Sequence, residues 1–287
     1  MYKRANPEAP QTAMRSHVQS SVMSEANNFV LVTRRRKHRN RKRNLCGDVT
    51  ADCKIDRELL HRTLGNTLIE VRDTSFAKFV LSQLTESLTV LDSNGISEIV
   101  CYGLGRFSQY RSSRCQLAFL LCLKARYANA RVHVYDPAFC PEEVQVLRAL
   151  DLEIIEANEE GKRIIHRDKT TLVYMPHCSR QLTNNFLYAN WGVGLSNCVL
   201  LANSFSGIVD NCLSRDALNM AGYILRIRPY VTEIQLENSF AHEEAFNDLS
   251  IHIFIKQDLL KTPADFWNSR EEPQYLTDDV EFIAAAR

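Results

Sequence analysis

Several features that would assign the chain to a class at once are missing. No apolar run approaches the roughly 20 residues that a bilayer-spanning helix needs. The first thirty residues, with Pro7 and Pro10 among polar groups, hold no apolar core of a secretory leader. The expectation is a soluble, cytoplasmic chain without membrane contact. No C-x-x-C occurs, and no cysteine–histidine pair has zinc-ribbon or zinc-finger spacing, so no metal site is expected. Nine cysteines make an odd count without close pairing, which argues against a disulfide framework and for reduced thiols. Charge of one sign is also lacking, but a formal net charge of +1 says little about partners because it hides local asymmetry.

That asymmetry divides the 287 residues into three. Residues 1–52 are polar, poor in core formers and expected to be a disordered arm. They include a dense basic run formed by Arg34, Arg35, Arg36, Lys37, Arg39, Arg41, Lys42 and Arg43. A block of like charge repels itself and buries nothing, so it reads either as a nuclear-import signal or as a solvated tail. No aromatic residue is interleaved for base stacking, so direct nucleic-acid binding is not expected. Residues 53–258 carry periodic apolar segments and form the expected domain. Residues 259–287 combine Pro263 and Pro273 with an acidic cluster, Glu271, Glu272, Asp278, Asp279 and Glu281, and are expected to be a surface or disordered tail.

The central portion alternates between two periods. Arg57–Ile69 and Phe76–Leu91 have helical apolar spacing. Glu98–Tyr102 is a short apolar run suited to a strand buried on both faces, and Arg131–Tyr135, Glu153–Ile155, Thr171–Met175 and Cys198–Ala202 read as four further strands. Between them lie helical segments, with Ser112-Ser113 expected to cap one and Pro141 to open another. Short strands separated by helices imply βαβ units, hence a Rossmann-like three-layer α/β sandwich with a mainly parallel sheet. Val231–Leu236 and Ile251–Ile255 alternate and suit antiparallel edge strands.

In open parallel sheets ligands bind beyond the carboxyl ends of the strands. Those ends here carry Gly103-Leu104-Gly105, Asp136-Pro137, Pro176-His177-Cys178 and Asn203-Ser204-Phe205. The strands leading to them are nearly all apolar, so Gly103, Gly105, Arg106, Asp136, His177, Asn203 and Ser204 are the expected lining of one crevice.

Each residue has two readings. Gly103 and Gly105 form either a tight turn or a phosphate cradle, although Ser108 stands where a dinucleotide fingerprint has its third glycine. Arg106, Arg111 and Arg114 could pair with that phosphate or be surface charges. Asp136 is either an Asx-turn acceptor before Pro137 or a ribose-binding carboxylate, and Asp136→Ala is expected to leave the fold largely intact. The ligand would be an adenine nucleotide or S-adenosylmethionine. His177 and Cys178 would be a base and a nucleophile only if they met, which neighbours in a strand-end loop rarely do, and no third residue is available to orient them. Cys140 either precedes the helix that opens at Pro141 or, with His177, offers an axial ligand to haem.

Tyr102–Gly105 followed by Arg111–Ala118 resembles the opening motif of the SRR ("sensitivity to red light reduced") family. Val134–Pro137 and Tyr174–Cys178 are similar to its next two motifs, Asn190-Trp191 and Leu200–Phe205 to those that follow, and Ala245–Ser250 to the last. The likeness covers about residues 98–254. The basic arm before a helical lead-in resembles the animal SRR-like proteins. The resemblance implies a regulatory role: light signalling and circadian output in plants, clock-gene expression and regulation of haem biosynthesis in animals, with regulatory protein partners. It transfers no catalytic residues. An S-adenosylmethionine-dependent or nucleotide-dependent enzyme and a haem-binding sensor remain as alternatives.

Overall fold

Four apolar strands set side by side and largely buried on both faces fix the centre of the molecule, with a short, half-exposed fifth at the edge. The computed structural model describes residues 55–211, 215–275 and 283, and the basic run lies outside the described residues. The strands are β1 Ile96–Tyr102, β2 Arg131–Tyr135, β3 Glu153–Ile154, β4 Thr170–Met175, β5 Cys198–Asn203, β6 Thr232–Gln235 and β7 Leu249–Ile253. Their order in the sheet is β3-β2-β1-β4-β5-β7-β6. The first five strands are mutually parallel. β7 runs against both β5 and β6, which close that end of the sheet with β6 outermost. This is the Rossmann-like doubly wound arrangement, with a reversed strand inserted before the last.

Alternation along each strand sends successive side chains to opposite layers. Ile99, Cys101, Val132, Val134, Leu172, Tyr174, Val199 and Leu201 pack beneath α1 Arg57–Arg72, α2 Ser75–Val90, α3 Arg111–Arg126 and α4 Pro141–Ala149. Val100, Tyr102, Val173, Met175, Leu200 and Ala202 face α5 Arg180–Ala189 and α7 Arg215–Ile227. Each fully buried aliphatic side chain contributes about 1.5–3 kcal/mol relative to exposure. The shorter α6 Phe205–Asp210 and α8 Lys256–Leu259 complete the helices.

Caps explain where several helices start. Asp56 accepts the Leu59 N–H (2.9 Å) ahead of α1, and Thr74 accepts the Ala77 N–H (3.1 Å) ahead of α2. α3 departs from expectation. It begins at Arg111 with Tyr110 at the cap position and no side-chain cap, while Ser113 is already inside the helix and buried. No helix covers residues 155–169, the crossover from β3 to β4, which is irregular throughout. Among the described residues no helix is long and apolar enough to cross a membrane.

The C-terminal stretch runs over the surface, with most of residues 261–275 exposed. As far as Tyr275 it is docked on α5 and α7 by aromatic rings and hydrogen bonds. Phe266 and Trp267 pack on Trp191 with centroids 5.0 Å away. Arg226 lies over the Trp191 ring at 4.5 Å and donates to the Phe266 carbonyl. The Tyr275 hydroxyl donates to the Gln181 carbonyl (3.2 Å). Pro263 and the acidic residues made this segment read as a tail; its aromatic residues dock it.

Candidate functional site at the carboxyl edge of the sheet

Because β1, β2, β4 and β5 are parallel, their carboxyl ends share one edge. β1 and β4 are neighbours from which the chain winds outward in opposite directions, so the switch point of the sheet falls between Gly103 and Pro176. The residues expected there are brought together, and direct contacts link most of them.

The glycine loop folds back on the second strand end. Gly103 (φ +78°) and Gly105 (φ +66°) both adopt the left-handed backbone that favours glycine. A Cβ on Gly103 would stand 2.4 Å from the Cys178 sulfur, so the close approach it permits is to β4. Its N–H donates to the Tyr135 carbonyl (3.3 Å). The Gly105 N–H donates to Asp136 Oδ2 (2.7 Å), and the Ala138 N–H to Asp136 Oδ1 (2.8 Å). Asp136 is therefore an Asx-turn acceptor that also fastens the glycine loop to β2. Burial raises its pKa, and the two backbone donors oppose that shift.

A carboxylate not singled out in the sequence holds the next turn. Glu143, in the first turn of α4, is fully buried. It accepts the Ser108 N–H (2.8 Å) and the Cys140 N–H (3.1 Å) and pairs with Arg106 Nε at 3.1 Å. Arg106 is thus engaged in an ion pair, and Arg114 donates to the Phe107 and Ser108 carbonyls. Cys140 occupies the N-cap of the helix that opens at Pro141, and its side chain is buried. A spacing of three from the cap to a glutamate is the signature that could have found Glu143, but cysteine in place of serine or threonine hid it.

Past β4, the backbone of His177 is left-handed (φ +54°), uncommon for a residue with a Cβ though less so for histidine. Its N–H donates to Asn203 Oδ1 (3.2 Å), and Asn203 Nδ2 donates to the Cys178 carbonyl (3.1 Å), tying β4 to β5. The ring tautomer follows from its partners. Nε2 lies 3.0 Å from the Asn247 carbonyl, which can only accept, so Nε2 carries the proton. Nδ1 then accepts from Gln116 Nε2 (3.3 Å), whose amide also donates to the Ala245 carbonyl. Although His177 is exposed as a residue, desolvation of the ring lowers its pKa. The Cys178 thiol points away, to the Tyr102 carbonyl (3.4 Å), and burial pushes its pKa up. The two side chains do not meet. All six described cysteines are buried and free of disulfides, and burial pushes Cys115 and Cys122 up to about 11.

Ser204 caps α6 by accepting the Gly207 N–H (2.9 Å) and donates to Glu233 Oε1 (2.6 Å). Glu233 also accepts from the Ser206 hydroxyl (2.6 Å) and N–H (3.0 Å). Burial alone would raise its pKa, but the nearby His252 ring, 3.7 Å away, and the hydrogen bonds from the two serines hold it well below the carboxylate range. His252 is fully buried, stacks on Phe205 at 3.8 Å, and lies 3.2 Å from the Leu200 carbonyl. The strand ends thus form a crest whose named polar groups are already engaged by backbone partners.

Comparison with known proteins finds relatives of this chain. The SRR1 domain profile matches residues 64–253. The SRR1-like protein of Mus musculus is 40% identical over 131 residues, 45% of this chain and 52% of the mouse protein, so the match spans about half the length of that relative. The SRR1-like protein of Drosophila melanogaster is 29% identical across 81% of this chain and 82% of its own length. Protein SENSITIVITY TO RED LIGHT REDUCED 1 of Arabidopsis thaliana is 30% identical across 68% of this chain and 74% of its own length.

Proposed function

The chain belongs to the SRR1 domain family, and from that membership we propose that it is a regulatory protein acting on clock-gene expression and on haem biosynthesis, in the cytoplasm and the nucleus. What supports the reading is the use made of the motif residues. Gly103, Asp136, His177 and Asn203 are scattered through the sequence yet meet at one edge, where hydrogen bonds to backbone engage them. A crest locked in this way presents a fixed surface to a ligand or partner. Its thiol, Cys178, is buried and raised in pKa, which makes it a poor nucleophile. The Gly103 and Gly105 N–H groups that a phosphate cradle would use are engaged by Tyr135 and Asp136.

The test is complementation. Cells lacking this protein should lose amplitude in clock-transcript rhythms and misregulate haem-synthesis transcripts, and the wild-type chain should restore both. His177→Gln, expressed to the same level, should restore them incompletely. Unchanged rhythms and transcript levels after complete removal would sink the reading. Titrating the pure protein with S-adenosylmethionine, ATP and hemin decides what the crest takes. A Soret shift lost in Cys140→Ser or His177→Gln would favour the haem sensor. Thermal stabilisation by S-adenosylmethionine or ATP that Gly105→Val abolishes would favour the enzyme.

A further inference from the structure

The β3–β4 crossover builds a second concave surface at the opposite end of the sheet from the crest. Arg131 opens β2, Arg167 precedes β4, and Gly192 and Gly194 precede β5, so this surface lies beside the amino ends of the strands. Two hollows of about 330 and 560 Å³ abut there and share Ile164 and His166 as lining. Ile164 is 65% exposed, more than any other large apolar residue described.

The wall between the hollows is fixed. Asn190 accepts the Ile165 N–H (3.0 Å) and donates to the Arg163 and Phe186 carbonyls, stitching the irregular crossover to the end of α5. Charge around it is uneven. Glu159 is engaged by the Tyr102 hydroxyl (2.8 Å) and by Arg163 (3.0 Å). Glu98, at the floor, is buried beside His133 (3.1 Å) and Arg163 (3.7 Å). Lys162 is held by Glu160 and Glu272. Arg131, Arg167 and Arg270 line the hollows as exposed residues and have no carboxylate partner among the described residues; Arg270 donates one Nη to the Ala189 carbonyl (2.8 Å) and lies over the Tyr188 ring, which fixes it at the rim with its other N–H groups to spare.

We propose that this groove binds an extended acidic segment of a partner protein, its carboxylates on Arg131, Arg167 and Arg270 and an apolar side chain against Ile164. Guanidinium groups spread along a groove match carboxylates repeated along a peptide, and each can engage one through two parallel hydrogen bonds. An exposed isoleucine between them supplies the apolar contact that such recognition uses as an anchor. A single-stranded nucleic acid would also bring repeated negative charge, but it needs exposed aromatic faces for its bases. Trp191, the aromatic lining residue, is only 6% exposed and has Arg226, Phe266 and Trp267 against its ring. The inference deepens the regulatory reading by giving the chemistry of a partner. Its readout is direct binding, so it can fail while complementation still succeeds.

The experiment uses the full chain and a fluorescent eight-residue peptide of glutamates around one leucine, read by anisotropy at low and at physiological salt. The expected result is saturable binding that weakens with salt, at least tenfold loss with the glutamine analogue, and at least tenfold loss in the Arg131→Glu, Arg167→Glu double variant. Ile164→Ser should weaken binding severalfold. Arg62→Glu, on the outer side of α1, should change nothing. A lysine-for-glutamate peptide should bind the double variant better than the wild type. The proposal is overturned if the wild type does not bind, if the glutamine analogue binds equally, or if the double variant binds like the wild type. An oligonucleotide of equal charge that binds more tightly, with loss in the same double variant, would reassign the groove to nucleic acid. Binding that appears only after residues 276–287 are removed would reassign it to the chain's own acidic residues.

Discussion

The two ends of the sheet treat polar side chains in opposite ways. At the carboxyl edge, Asp136, Glu143, His177, Asn203 and Ser204 are joined to backbone groups of neighbouring loops. At the amino edge, Arg131 and Arg167 are exposed and have no carboxylate partner among the described residues, and Arg270 is exposed with one Nη on the Ala189 carbonyl. A polar residue near a strand end can thus serve the fold or remain available to a partner, and its type alone does not say which. The crest should therefore be costly to alter and the groove cheap.

The largest effect is expected at Glu143. Glu143→Ala removes a fully buried carboxylate and strands two N–H groups and Arg106, at a cost of about 3–5 kcal/mol in chemical denaturation. Gly103→Val should follow, at about 2–4 kcal/mol, because it combines left-handed strain with the Cys178 contact. Adding Cys178→Ala should recover part of that loss, and a double variant no more stable than Gly103→Val alone would remove the clash from the explanation.

Asp136 comes next, and here the expectation that its removal would spare the fold is revised. Asp136→Asn disturbs two backbone hydrogen bonds and should cost about 1–3 kcal/mol. Its pH dependence has a sign. A carboxyl whose pKa is raised on folding adds stability that is present below its ordinary pKa and lost as pH rises through the raised one. The gap between wild type and variant should therefore be widest in acid and narrow as pH rises. A gap that widens with pH would contradict the raised pKa. His177 should behave oppositely. Its pKa is lowered, so wild-type stability is full above the ordinary histidine value, about 6.5, and falls as pH drops through it. His177→Gln should flatten that slope. Nitrogen NMR should find the proton on Nε2.

The smallest effect belongs to the groove. Arg131→Glu with Arg167→Glu should move stability by no more than about 0.5 kcal/mol. A loss as large as that at Glu143 would make the groove part of the fold's own support and erase the contrast.

What the sequence disclosed follows the same division. The central parallel strands were legible because burial on both faces leaves unbroken apolar runs such as Ile99–Tyr102 and Cys198–Ala202. β7 was harder, since Leu249-Ser250-Ile251-His252-Ile253 alternates like a half-exposed strand. Its polar members are fully buried in the second layer, where His252 stacks on Phe205. α6 and α7 were missed: α6 is a six-residue helix, and α7 contains non-helical backbone at Ala221. At the carboxyl edge Gly103, Asp136, His177 and Asn203 were found because strand ends are where a parallel sheet puts such residues. Glu143 and Gln116 were not, since each sits inside a helix as an ordinary polar residue. The groove could not be read at all. Residues 155–169 have the composition of a linker, and only the fold shows that they stand where a crossover helix would otherwise lie.

The docking of Phe266, Trp267 and Tyr275 on α5 and α7 also sets an order of events during synthesis. The layer over α1–α4 is closed by residues that emerge no later than Ile255. The opposite layer waits longer: until Phe266 and Trp267 leave the ribosome, the ring of Trp191 lacks its cover. A nascent or prematurely terminated chain would present that aromatic face to chaperones and to other chains, as partly folded α/β proteins do when a layer is unfinished. Stop codons between Leu260 and Phe266 should therefore be read in the cell as aggregation or turnover, even though every strand of the sheet has already been made.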